Sequence, residues 1–181
     1  MNKSEMTAFF VAIDCQLEAP ATLHLYGSAV VILLDAPGRT SLDIDVAGPY
    51  SRINQAELEA IAARIRLPVN PEPAYDGPHI EWVGPLRLCL PPPQDDGTVL
   101  WQGARLTVRT GSVEDLVASK LIRYDSTDQA DIQYLYAQFR FSADAVRDAV
   151  ERLPQPFRDD VLVQENFGNL LLDLRDWRDD A

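Results

Sequence analysis

Leu23 to Val46 reads LHLYGSAVVILLDAPGRTSLDIDV, and this stretch decides the fold. Leu23 to Tyr26 predicts a strand, Gly27-Ser28 a tight turn, and the apolar residues that follow a short helix. After a loop comes a second strand carrying Asp43 and Asp45. Side chains alternate along a strand, so both carboxylates share one face. Two adjacent like charges repel unless a cation sits between them. Oxygen ligands of this kind suit Mg²⁺. Gly27-Ser28 leads into a helix N-terminus, where free N–H groups and the helix dipole favour a phosphate. A phosphate cradle beside a metal-binding pair is a nucleotide-handling arrangement. The plainer reading makes Gly27 and Ser28 an ordinary turn and cap, and the aspartates the wet face of an edge strand.

Gly27-Ser28, a spacer, and then Arg39-x-Ser41-x-Asp43-x-Asp45 resembles the nucleotidyltransferase superfamily. Between Ser28 and Asp43 lie 14 residues, a length similar to the abortive-infection toxin-like branch of bacterial toxin–antitoxin systems. The resemblance implies an NTP substrate, Mg²⁺ or Mn²⁺ on Asp43 and Asp45, and phosphates on Gly27 and Ser28. It also implies a third carboxylate on a later strand, in an apolar-x-Asp-apolar-apolar setting. The matching segment is His79-Ile80-Glu81-Trp82-Val83, so Glu81 stands where the family carries Asp. Arg39 has two expected roles: anchoring its loop through Asp35 or Asp45, or contacting phosphate bidentately.

Further along, Val113, Leu116, Val117, Leu121 and Tyr124 form an apolar helical stripe with Lys120 in its middle. A lysine so placed must snorkel, pair with an acid, or meet a ligand. The toxin-like branch is similar here: an apolar helix, a lysine, then an acidic motif on the next helix. The resemblance assigns Lys120 to the nucleotide phosphates and Asp131 to the site or its support. Asp128, three residues earlier, reads as a helix N-terminal acid. A pair between Asp131 and Lys120 or Arg123 satisfies both readings of Asp131.

The totals bound the function. A chain of 181 residues with 46% hydrophobic content builds a real core rather than a disordered segment. Its net charge of −12 disfavours nonspecific binding to nucleic acid and leaves room for a basic protein partner. The longest apolar run is too short to span a bilayer, and no signal peptide is expected at the N-terminus. Two cysteines, Cys15 and Cys89, make no disulfide framework, so a cytoplasmic setting is the expectation. His24 and His79 have no metal-ligand spacing and read as packing or surface residues.

Helices are expected over Ser4–Glu18 and Ile53–Ile65, and strands over His79–Val83, Leu86–Leu90 and Ala104–Arg109. Ser112 caps a helix running to about Tyr124. Ser126 or Thr127 caps a second through Phe139, and Ser142 a third ending near Pro154. A last helix, Phe157–Trp177, contains Gly168 as a possible break. Its Val163, Phe167, Leu170, Leu174 and Trp177 recur as an internal packing seam. The expected class is α+β: a small mixed sheet with helices over residues 1–110, then a helical subdomain over 111–181 packed on it. The expected function is Mg²⁺-dependent nucleotidyl transfer from an NTP to a hydroxyl on RNA, protein or a small molecule, within a toxin–antitoxin pair. The alternative is a non-catalytic binding or regulatory protein of the same fold.

Overall fold

The computed structural model describes residues 1–179, and the chain has the α+β class. It divides into two compact units. One comprises residues 1–88 and 94–111, the other residues 89–93 and 112–181.

The first unit opens with helix α1 (Lys3–Asp14). Asn2 caps it in a full capping box with Glu5, which satisfies two N-terminal donors at once. Strand β1 (Ala21–His24) leads through Tyr26 into α2 (Gly27–Leu33), and a loop leads to β2 (Asp43–Ala47). Helix α3 (Gln55–Arg64) is capped by Asn54 and buries Leu58, Ile61 and Ala62. Strand β3 (His79–Val83) follows, and then the hairpin of β4 (Thr98–Gln102) and β5 (Leu106–Thr110).

Strand β5 lies in the middle of a three-stranded sheet, parallel to β1 and antiparallel to β4. Strands β2 and β3 form a parallel pair. An antiparallel bridge between Leu25 and Val46 joins β1 to β2, and the Tyr26 N–H donates to the Asp45 carbonyl at 3.2 Å. Leu23, Leu25, Ile44, Val46, Ile80, Leu106 and Val108 are buried. Alternate burial turns one face of β2 and β5 into the core, whereas the edge strand β4 buries no residue. Asp14 closes the unit. Its carboxylate accepts from the amides of Leu106 at 2.6 Å, Arg105 at 2.7 Å and Ala104 at 3.0 Å. These bonds hold its pKa below the usual carboxylate value, with the Leu106 bond the strongest influence.

One expected strand is absent and one strand is added. Leu86–Leu90 is not a strand. Arg87 N–H closes a turn onto Gly84 O at 3.1 Å, and Leu88, Cys89 and Leu90 are all buried rather than alternating. Pro85 and Pro91 flank the segment and cannot extend a ladder beyond it on either side. Strand β4 (Thr98–Gln102) is an addition, since its sequence lacks the alternation that marks a strand. It pairs at the sheet edge through a bulge between Val99 and Trp101.

The second unit is helical: α4 (Val113–Lys120), α5 (Ser126–Phe139), α6 (Ala143–Glu151) and α7 (Val161–Asp179). Ser112 and Ser142 cap α4 and α6 as read. The cap of α5 is Asp125 instead of Ser126 or Thr127, since its carboxylate reaches the amides of both Thr127 and Asp128. Helix α4 ends at Lys120 with Leu121 as its C-cap, short of Tyr124, which takes a positive φ of 52°. Gly168 faces open space and does not break α7. Residues 157–159 form a separate short 3₁₀ turn before it. Val163, Phe167, Leu170 and Leu174 are buried, and the Trp177 ring lies 5.8 Å from that of Tyr136. No helix among the described residues is long and apolar enough to cross a membrane.

Candidate metal centre

Asp43 and Asp45 lie two residues apart on β2, so the pleat sends both side chains to the face opposite Ile44. The parallel register sets Asp45 directly opposite Glu81 on β3. One carboxylate oxygen from each of Asp43, Asp45 and Glu81 falls within 4.8 Å of the others, and all three residues are half-buried. Like charges this close repel, on the order of 3 kcal/mol per pair at an effective dielectric of about 20. Oxygen ligands at this spacing, held on two rigid strands, fit Mg²⁺ or Mn²⁺.

Gly27 shapes the neighbouring wall. Its φ is +68°, and a Cβ built there would stand 2.2 Å from Asp45 Oδ2. Only glycine permits both the turn and the approach of the carboxylate to the start of α2. Ser28 follows, and Arg39 Nη2 donates to its hydroxyl at 3.3 Å. Arg39 therefore ties the loop before β2 to the start of α2. Asp35, one anchor expected for Arg39, is gripped by Lys3 through both oxygens at 2.7 Å. The Ser41 hydroxyl donates to Asp43 Oδ1 and fixes that carboxylate from its own strand entry. Arg87, which the sequence reading passed over, donates through Nη2 to Glu81 Oε1 at 2.8 Å. Reading Leu86–Leu90 as a strand hid the turn that brings it back. Among the described residues, this triad is the one group of three or more acidic, cysteine or histidine side chains with metal-holding spacing.

Lys120 belongs to the second unit and has its partners there. Its Nζ donates to Asp128 Oδ1 and to Asp131 Oδ2, both at 2.9 Å, and its side chain is only 5% exposed. Arg123 adds two bonds to Asp128, from Nε at 2.8 Å and Nη2 at 2.9 Å. Burial pushes the Asp128 carboxyl upward, but Arg123 and Lys120 outweigh it and hold the pKa below its ordinary value. The ammonium read from the sequence as a phosphate contact is thus engaged in a buried ion triad. Asp131, balanced between site and support, is one arm of that triad. Asp128, read as a simple N-terminal acid, is the other.

The remaining candidates are packing residues. His24 is buried, its ring edge-on to Tyr50 at 5.8 Å. Burial, and then the Arg109 charge, lower its pKa to about 4, so it is neutral at physiological pH. His79 Nδ1 lies 2.9 Å from the Gly77 carbonyl. Cys89 is buried, and burial followed by the Asp160 charge pushes its thiol up to about 12. It stays protonated and unreactive. Comparison of the chain with protein-family models, with curated proteins and with solved structures finds no match.

Proposed function

We propose that this chain transfers a nucleotidyl group from an NTP to a hydroxyl acceptor, in the manner of the nucleotidyltransferase superfamily and its toxin-like branch. The observation that carries the reading is the convergence of Asp43, Asp45 and Glu81 within 4.8 Å, with the Gly27 backbone packed against Asp45. Mg²⁺ or Mn²⁺ held by these three carboxylates would activate the acceptor and neutralise the triphosphate. Gly27 lets Asp45 close against the start of α2, Ser28 offers the phosphates a hydroxyl, and Arg39 holds Ser28 in place. The acceptor oxygen bonds to the α-phosphorus, the bond to pyrophosphate breaks, and a triad carboxylate, Glu81 in this reading, takes the hydroxyl proton. With a net charge of −12, a protein or compact acceptor fits better than free RNA. A cognate partner in a toxin–antitoxin pair would be basic. Free Cys15 and Cys89 suit the reducing cytosol in which such a pair would act.

A second reading has its own support. The Lys120 charge is already met by Asp128 and Asp131, and Arg87 already meets Glu81. Both features fit a non-catalytic binding or regulatory protein that keeps the fold. Label transfer from each α-labelled NTP, with Mg²⁺ or Mn²⁺, into RNA, protein and small-molecule fractions of cell extract separates the two. Transfer that vanishes in Asp43→Asn supports the enzyme. Absence of both transfer and calorimetric NTP binding supports the binding module.

A further inference from the structure

We infer that Arg87 is a built-in counter-cation of the acidic triad, which an incoming divalent metal must displace from Glu81. The inference rests on the metal-centre reading above and adds a residue that sets how tightly the metal is held. Strand β3 ends at Val83, and a turn closed by Arg87 N–H on Gly84 O folds the chain back. That turn carries the Arg87 guanidinium to Glu81 Oε1, the carboxylate set opposite Asp45 across the β2–β3 register. Glu81 therefore serves two cations through one carboxylate group: a tethered monovalent one and a divalent one shared with Asp43 and Asp45.

The competition has a definite sign. Arg87 neutralises part of the charge that attracts the metal, and its guanidinium engages one of the two oxygens of the Glu81 carboxylate. Its side chain is 74% exposed, so water receives the guanidinium readily once it is released. Arginine stays protonated at all working pH values, so the Arg87 charge is constant and the contact responds to metal concentration and ionic strength. The pair also has a positioning role in the metal-free chain. It restrains Glu81 toward Arg87 until the metal arrives.

The test is Mn²⁺ binding, followed by the electron paramagnetic resonance signal of free Mn²⁺, on wild type, Arg87→Gln, Arg87→Lys and the Asp43→Asn/Asp45→Asn pair. Arg87→Gln should bind Mn²⁺ about two- to fivefold more tightly, the range set by losing one exposed ion pair. Arg87→Lys keeps the charge and should stay near wild type. Position 87 is exposed on a turn, and unchanged circular dichroism will show that the fold is intact. Wild-type binding with unchanged or weaker binding by Arg87→Gln overturns this inference alone. If neither wild type nor Arg87→Gln binds Mn²⁺ better than the double variant, the metal centre and this inference fall together.

Discussion

Replacing Lys120 by methionine is the sharpest probe of the second unit. By volume the change is mild, because methionine fills irregular apolar space well. By charge it is severe. Asp128 and Asp131 are 2% and 1% exposed and lose the cation they share. Removing one partner of a buried ion pair costs about 3–5 kcal/mol. That is a large part of the roughly 5–15 kcal/mol that holds a domain together. With a urea slope of about 2 kcal/mol per molar, the midpoint should fall by about 1.5–2.5 M. Urea unfolding followed by circular dichroism at a helix-sensitive wavelength reads this directly. Adding Asp131→Asn should recover roughly 1–3 kcal/mol, the usual coupling between contacting residues. One of the two buried charges is then gone, and Asp128 keeps both bonds from Arg123. Lysine 120 is not a structural cation if Lys120→Met costs less than about 1 kcal/mol, or if Asp131→Asn recovers nothing.

Two further outcomes follow from the first unit. Gly27→Ala places a methyl 2.2 Å from Asp45 Oδ2 at a φ of +68°. It should lower stability by about 1–3 kcal/mol, and isothermal titration should show Mn²⁺ binding lost as Asp45 is pushed aside; unchanged binding would sink the role given to Gly27. Asp14 has a folded pKa below the ordinary carboxylate value, chiefly because the Leu106 and Arg105 amides bond its ionised form. Its stabilisation is therefore present above that value and disappears as pH falls through the folded pKa. Asp14→Asn should lower the melting temperature at neutral pH and flatten its decline on the acid side, whereas an equal drop at every pH would contradict the assignment.

Much of this was legible because the deciding stretch couples local chemistry to period. The strand–turn–helix–strand order around Gly27 follows from alternation and glycine alone, and the pleat puts Asp43 and Asp45 on one face. The meeting with Glu81 was legible only through the resemblance, since register between β2 and β3 is a long-range property that no local pattern encodes. Lys120 was correctly marked as anomalous in an apolar stripe. Three outcomes were open there, snorkelling, an acid or a ligand, and a single helix cannot say which carboxylates fold over it. Arg87 and Asp14 escaped notice for one reason. Exposed arginines and helix-end aspartates are common, and only the returning turn and the incoming hairpin give these two their partners. Strand β4 carries little signal because an edge strand need not alternate, and Leu86–Leu90 imitates a strand because its leucines alternate between Pro85 and Pro91.

The three amides gripped by Asp14 have a consequence for the order in which the chain can fold. The carboxylate and the Leu106 N–H it holds are separated by 92 positions in sequence. Strand β5, the middle member of its sheet, is also the last strand to leave the ribosome. Until it arrives, β1 lacks its parallel neighbour, and Leu23 and Leu25 have only part of their cover. Contacts this distant in sequence form slowly, because loop closure precedes any gain from them. The nascent first unit must therefore wait with an open sheet edge. That makes it a substrate for chaperones or for aggregation, and degradation of incomplete chains would be fastest for those that stop before Leu106.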